Sequence, residues 1–297
     1  MIALDLIARA GKAKLHVPSV RFDDMGALAA YLSGPVSAAP EYGTVRQHWD
    51  RIAGDWVGAS AAATLQHAST GDAARVALAD AMLDRIETSV GFEARRWRTV
   101  DSVAGGAPNV PAYLAGSPMS MRRRARVMDT AAPLVIALEI GVSAAVDNAT
   151  IARRGAAALA LARIASASRP VELWGYFAAR DGSDHCAGMA VKLDTAPMDV
   201  SRAAWLFCAP EALRRAAFAV LAHAGAWTDQ SVRWLHSDTE KHAAFAGDFA
   251  RQITGAADLV TVAGFKSDGS NPFASDAAAA AWVSTALETH GAVTLAA

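Results

Sequence analysis

His236, Asp238 and His242 place three potential metal ligands within one short stretch, and Asp238 and His242 would share a helix face at i, i+4. The segment around them is polar, so a surface loop leading into a helix accounts for them more simply. His185 and Cys186 adjoin Asp181, Gly182 and Asp184. An imidazole beside a thiolate can activate it as a nucleophile, but a turn between two strands is the preferred reading. The motifs that announce many α/β enzymes are missing. Neither Gly-x-x-x-x-Gly-Lys nor Gly-x-Gly-x-x-Gly follows an expected strand, and Gly-x-Ser-x-Gly is absent. No catalytic residue and no cofactor is assigned, and the chain is expected not to be an enzyme.

Arginine is the distinctive charged residue. Arg95, Arg96 and Arg98 precede a stretch rich in Gly and Pro, and Arg122, Arg123, Arg124 and Arg126 follow it, with Asp101 the only acid between Ala94 and Arg126. If the stretch folds back, the two groups form one basic patch suited to phosphates or acidic partners. The 28 basic and 29 acidic residues leave a net charge of −1, which weakens the electrostatic case for nucleic acid.

Composition sets the frame for these residues. Apolar residues make up 53% of the 297 and charged ones 19%, so there is ample surface to bury and disorder is not expected. No apolar run approaches the roughly 20 residues needed to cross a bilayer. The N-terminus carries no charged leader before its apolar residues, so no secretory signal is expected. The two cysteines, Cys186 and Cys208, fit no zinc spacing and no disulfide scaffold, which suits a reducing cytoplasm. The eight tryptophans scatter without stacking periodicity and are expected mostly in the core.

The first ninety residues read as helical. Asp23 or Asp24 can cap a helix through Leu32, Thr44 can cap another ending at Gly54, and Asp72 to Ile86 places Val76, Leu78, Met82, Leu83 and Ile86 near one face. After the Gly/Pro-rich stretch the pattern changes. Leu134 to Ile140 is a continuous apolar run, as expected of a strand covered on both faces. A helix over about Asn148 to Ala167 and a strand from Val171 to Phe177 complete a βαβ unit. Further strands are expected at Gly188 to Leu193 and Asp258 to Ala263. Helices are expected at Val200 to Phe207, at Glu211 to His223, and from a Ser275 cap to Leu287. The expected fold class is therefore α/β, a mostly parallel sheet with helices on both faces, preceded by a helical N-terminal region. The expected organisation is residues 1–92 helical and 93–297 α/β, which could also form one continuous domain.

In an open α/β sheet, ligands sit beyond the carboxyl ends of the strands. The first strand of the α/β part ends in Glu139-Ile-Gly141-Val-Ser143, with Asp147 following. This resembles the metal-ion site of von Willebrand factor A-like domains, where Asp-x-Ser-x-Ser follows the first strand. Glu stands here for Asp, and the first hydroxyl is missing. Mg²⁺ demands near-octahedral oxygen ligands, so Glu139, Ser143 and Asp147 read as a degenerate site and no bound metal is expected.

Further segments resemble an uncharacterised protein family of tailed bacteriophages. They are Pro108 to Met119, the strand through Ser143, Arg153 to Leu161 running into Val171 to Trp174, and Met198 to Val200 through Ala219. The resemblance spans roughly residues 40 to 225. The sequence departs from it at Met119-Ser120-Met121, where the family tends to carry an acid or Cys before the Met. The resemblance implies a viral origin and a von Willebrand factor A-like core, and it carries no catalytic residues over. The expected function is a non-enzymatic one through contacts with other protein subunits, in the virion or as an assembly factor. The host cytoplasm is the expected location, with the particle as a further one, and no membrane is involved. The second reading is a replication or host-takeover factor binding nucleic acid through the arginine patch.

Overall fold

A computed structural model describes residues 1–10, 13–33, 58–90, 97–126, 132–141, 146–180, 186–195, 197–223, 240–262 and 271–290. The chain opens with strands where a helical region was expected. β1 (Ile2–Ala10) and β2 (Ala13–Phe22) form an antiparallel hairpin. Leu15 and Val17 are buried while Lys14, His16 and Pro18 are exposed, the period of two that a strand with one covered face requires. The helices expected after it are partly there. α1 (Met25–Ser33) starts where Asp24 Oδ1 accepts a hydrogen bond from the Ala27 amide at 2.7 Å. α2 (Ala61–Thr70) is capped by Ser60, and α3 (Ala73–Val90) begins at Asp72, whose Oδ1 accepts from the Ala74 amide at 2.9 Å. On α3, Met82, Leu83 and Ile86 are buried as expected and Val76 is half-buried. Leu78 is exposed, and the small Ala79 takes the buried position beside it. The helix expected between Thr44 and Gly54 lies outside the described residues.

The Gly/Pro-rich stretch is a small sheet. β3 (Trp97–Ser102), β4 (Ala107–Pro108), α4 (Val110–Leu114) and β5 (Met121–Arg126) fold into an arm with strand order β3-β5-β4, antiparallel throughout.

The main sheet follows. β6 (Leu134–Glu139), wholly buried, is joined through α5 (Asn148–Ala165) to its parallel neighbour β7 (Val171–Arg180). β8 (Cys186–Leu193) returns antiparallel to β7. Then come α6 (Val200–Cys208), a π-helical segment (Ala212–Ala217) continuing into α7 (Phe218–His223), α8 (Glu240–Thr254), β9 (Leu259–Val262) and α9 (Asp276–Thr289). Ser275 Oγ caps α9 by accepting from the Ala278 amide at 3.2 Å, the cap expected from sequence. The six strands run β1-β2-β8-β7-β6-β9, with three parallel pairings, β2/β8, β7/β6 and β6/β9.

Alternation along the strands feeds two cores. Leu134, Ile136 and Leu138 face the larger layer, built from α1, α2, α3, α5, α6, α7 and α9. Val135 and Ala137, with Trp174 and Tyr176, face α8 through Phe245, Phe249 and Ile253. The boundary expected near residue 92 does not divide the sheet. β2 hydrogen-bonds β8 from Ser19↔Gly188 to Phe22↔Val191, so the N-terminal hairpin extends the same sheet. Of the tryptophans whose side chains are described, Trp174 and Trp205 are buried and Trp282 packs at the edge of the larger core. Among the described residues no helix is long and apolar enough to cross a membrane.

Candidate functional site

The carboxyl end of β6, where a ligand would sit in an open α/β sheet, is filled from within. Glu139 is buried in register with Tyr176 of β7. Arg154, projecting from the second turn of α5, is buried and donates to the Gly141 carbonyl at 3.3 Å. Burial pushes its guanidinium down to about 10, and the charges of Glu139, Tyr176 and Cys208 hold it up against that loss. Burial likewise drives the Tyr176 hydroxyl well above its ordinary value, with Glu139 adding to the shift and Arg154 opposing it. Arg214, from the π-helical segment, donates to the Val146 carbonyl at 3.3 Å and to Asn148 Oδ1 at 3.4 Å. Burial lowers its guanidinium to about 10 as well. Both groups remain cationic at neutral pH, and their bonds go to the connector between β6 and α5.

Asp147 is spent on capping. Its Oδ1 accepts from the Thr150 amide and its Oδ2 from the Thr150 hydroxyl, both at 2.8 Å. Those bonds lower its carboxyl below the usual range, the amide first. Ser143 lies outside the described residues. Glu139 and Asp147 have other partners at this strand end, and the guanidinium of Arg154 occupies the neighbourhood that a cation would need.

The arginine patch falls on the arm. Arg98 is on β3 and Arg122, Arg123, Arg124 and Arg126 are on β5, the adjacent antiparallel strand, with Arg98 opposite Ala125 and Asp101 opposite Arg122. The two flanks of the Gly/Pro-rich stretch thus lie on adjacent strands, but the register sets no arginine directly opposite Arg98. Arg122 Nε lies 3.8 Å from Asp101 Oδ1 in an exposed pair, a geometry that contributes little to stability. Asp101 also accepts from Asn109 Nδ2 at 3.0 Å, and Asn109 Oδ1 caps α4. Arg95 and Arg96 lie outside the described residues.

A third cluster was not foreseen. His67 is in the last turn of α2, Asp72 heads α3, and Glu211 precedes the π-helical segment. His67 Nδ1 lies 3.5 Å from Glu211 Oε1 and 3.8 Å from Asp72 Oδ2. One donor atom from each of the three residues falls within 4.8 Å of the others. Arg75 Nε stands 3.7 Å from the same Asp72 oxygen. Two glycines with left-handed backbones make room for the cluster. Gly71 (φ 78°) turns the chain between α2 and α3, where a side chain would strike Ser201. Gly58 (φ 94°) lies against Glu211, so that a Cβ there would collide with Oε2. The sequence signal was faint, because Glu211 sits far along the chain from His67 and Asp72 and follows Pro210 in what reads as a plain helix start.

The remaining candidates do not form a site among the described residues. Cys186 is buried in β8, and His185, Asp181 and Asp184 lie outside the described residues. Cys208 is buried, and desolvation pushes its thiol up to about 12, so it holds its proton at neutral pH. His236, Asp238 and the side chain of His242 also lie outside the described residues.

No curated protein and no solved structure matches the chain significantly. One family model matches most of it, residues 12–247, from the hairpin through the arm and the filled strand end to the first part of α8. By that match the chain belongs to the family described as Domain of unknown function (DUF7192).

Proposed function

We propose that this protein is a non-enzymatic subunit that assembles with other protein subunits through the arm of residues 97–126. The observation that carries this reading is the arm's surface. Val103, Val110, Tyr113, Leu114 and Met119 are exposed on it, Leu114 to 78% and Tyr113 to 70%. Asn109, a polar residue, is the only buried residue among the arm's described side chains. A segment whose described side chains enter neither core, yet which holds large apolar side chains in water, suits a surface that is covered on assembly.

Charge points to the kind of partner. The arm carries five arginines and one aspartate, 5 − 1 = +4, so the rest of the chain holds −1 − 4 = −5. An acidic protein surface with apolar residues fits the arm, and the remainder of a second copy of this chain is of that class. The proposal includes a von Willebrand factor A-like core. Parallel β6 and β7 bridged by α5, antiparallel β8 beyond them and helices on both faces support it. The filled end of β6 suits a scaffold better than a metal-dependent ligand site. The bacteriophage origin implied by the sequence resemblance would make the partners virion or assembly proteins.

The second reading, nucleic-acid binding, rests on one observation, that Arg98 and the arginines of β5 lie on adjacent strands. A photo-crosslinking residue at Leu114, compared with one at exposed Thr88 on α3, separates the two in cells where the chain is naturally made. Protein adducts from Leu114 alone, whether to a second copy or to another subunit, are the expected result. Nucleic-acid adducts would transfer the function to the second reading. The same adducts from both positions, or none from either, would remove the arm as the point of assembly.

A further inference from the structure

We infer that His67, Asp72 and Glu211 form a binding site for a single divalent transition-metal ion, with zinc the best match to the ligand set. The inference is independent of the arm and does not rest on the proposed function.

Two observations carry it. The first is spacing. Zinc bonds to imidazole nitrogen and carboxylate oxygen of about 2.0–2.2 Å put tetrahedral ligands roughly 3.3–3.5 Å apart. His67 Nδ1 is 3.5 Å from Glu211 Oε1 and 3.8 Å from Asp72 Oδ2. The second is unmet bonding capacity. The Glu211 side chain is only 1% exposed, and its Oε2 is buried without a hydrogen-bond partner. His67 Nδ1 is likewise buried and accepts or donates no hydrogen bond, although two carboxylates stand beside it. A buried carboxylate and a buried ring nitrogen left in this way carry a desolvation cost that ligation of one ion would offset.

The ligands are held in place from outside. Asp72 Oδ1 is engaged with the first amides of α3, which turns Oδ2 toward His67. Arg202 Nε donates to the Ser69 carbonyl at 2.8 Å and fixes the end of α2. Arg215 Nε donates to the Ala59 carbonyl at 2.6 Å and fixes the backbone next to Gly58. Such outer contacts orient ligands before an ion arrives. Arg75 shares the Asp72 oxygen from its outer side, so that ligand is the weakest of the three. Imidazole with two carboxylates suits zinc or a neighbouring first-row ion better than Ca²⁺ or Mg²⁺, which take oxygen ligands in larger number. Three protein ligands leave the fourth tetrahedral position for water, on the side where His67 and Asp72 reach partly to solvent.

The test uses the full chain stripped with a chelator and titrated with ZnCl₂ by calorimetry, with CoCl₂ as a spectroscopic stand-in. One ion per chain and the visible absorption of tetrahedral Co²⁺ are expected. Glu211→Gln keeps the shape and removes the charge, and His67→Gln removes the imidazole nitrogen with a side chain of similar length in the last turn of α2, where folding should survive. Each should weaken Zn²⁺ binding at least tenfold, with circular dichroism confirming a folded chain. No uptake by the unsubstituted protein would overturn the site. Uptake unchanged in both variants would overturn it too, since the ion would then be held elsewhere, as on His236, Asp238 and His242.

Discussion

The arm and the body of this protein use the same residue types in opposite ways. In the body, guanidiniums are taken inside: Arg154, Arg214 and Arg215 are buried and bond main-chain carbonyls of neighbouring segments. In the arm, Arg122 and Arg123 are exposed, and Val110, Tyr113 and Leu114 stand in water beside them. The body is over-determined by its own contacts, whereas the arm has a surface larger than its own fold can use. The body should therefore resist change at its buried charges and close contacts, and the arm should tolerate change until a partner is present.

Arg154→Ala should break the body most severely. It strips the Gly141 carbonyl of its donor and removes the buried positive charge that acts on Glu139. Loss of one member of such a buried pair costs roughly 3–5 kcal/mol, read as a drop in the urea midpoint. An unchanged midpoint would show that the strand end is not held as described.

Gly155→Val should come next. A side chain there meets the Phe207 carbonyl and lies 2.6 Å from the Cys208 sulfur, where α5 and α6 touch. Overpacking of this kind costs about 1–3 kcal/mol, visible as a lowered thermal midpoint.

A smaller effect should appear in acid. Burial alone would raise the Asp258 carboxyl, but the hydrogen bonds from His290 and Arg169 outweigh it and leave it low. Asp276 is held low chiefly by its hydrogen bond from Arg153. Both folded-state values lie below those of the unfolded chain, so the unfolded chain binds more protons as acidity rises. The stabilisation is present above about pH 4, near the unfolded aspartate value, and is lost as the pH falls through the folded values. Urea midpoints at neutral pH and near pH 3 should show this loss, and Arg169→Gln should shrink it.

The smallest effect on stability belongs to the arm. Tyr113→Ser with Leu114→Ser should shift the midpoint by no more than about 0.5 kcal/mol while abolishing crosslinked or co-sedimenting partners. A large loss of stability would mean that these side chains serve the body after all, and the comparison would fail.

Much of the body was legible in the sequence because its signals are local. The apolar run of β6, the Asp24 and Ser275 caps, and the βαβ unit from β6 to β7 each follow from a few adjacent residues. The N-terminal hairpin was missed for a physical reason. Pro18 interrupts the strand pattern of β2, and it is accommodated just before the ladder to β8 begins at Ser19. Burial along α3 was misjudged at Leu78 because helical spacing defines a face without saying how far the covering layer reaches. At the strand end, spacing picked out Glu139 and Asp147, but the guanidinium arriving from Arg154 depends on how α5 packs. The His67, Asp72 and Glu211 cluster was illegible for the same reason, since three separate segments meet there only in the folded chain.

The π-helical turn over Ala212–Ala217 has a consequence for how this region can vary. Each π turn accommodates more residues than an α turn, so the helix that begins beside Pro210 leaves the turn out of phase with the way it entered. Adjacent Arg214 and Arg215 on it reach different segments, Val146 on one side and Ala59 on the other. Removing a single residue there would let the turn close to α pitch while leaving the downstream helix nearly in place, because the wider turn already absorbs about one extra residue. The stretch should thus tolerate the loss of one residue better than an ordinary helical turn would.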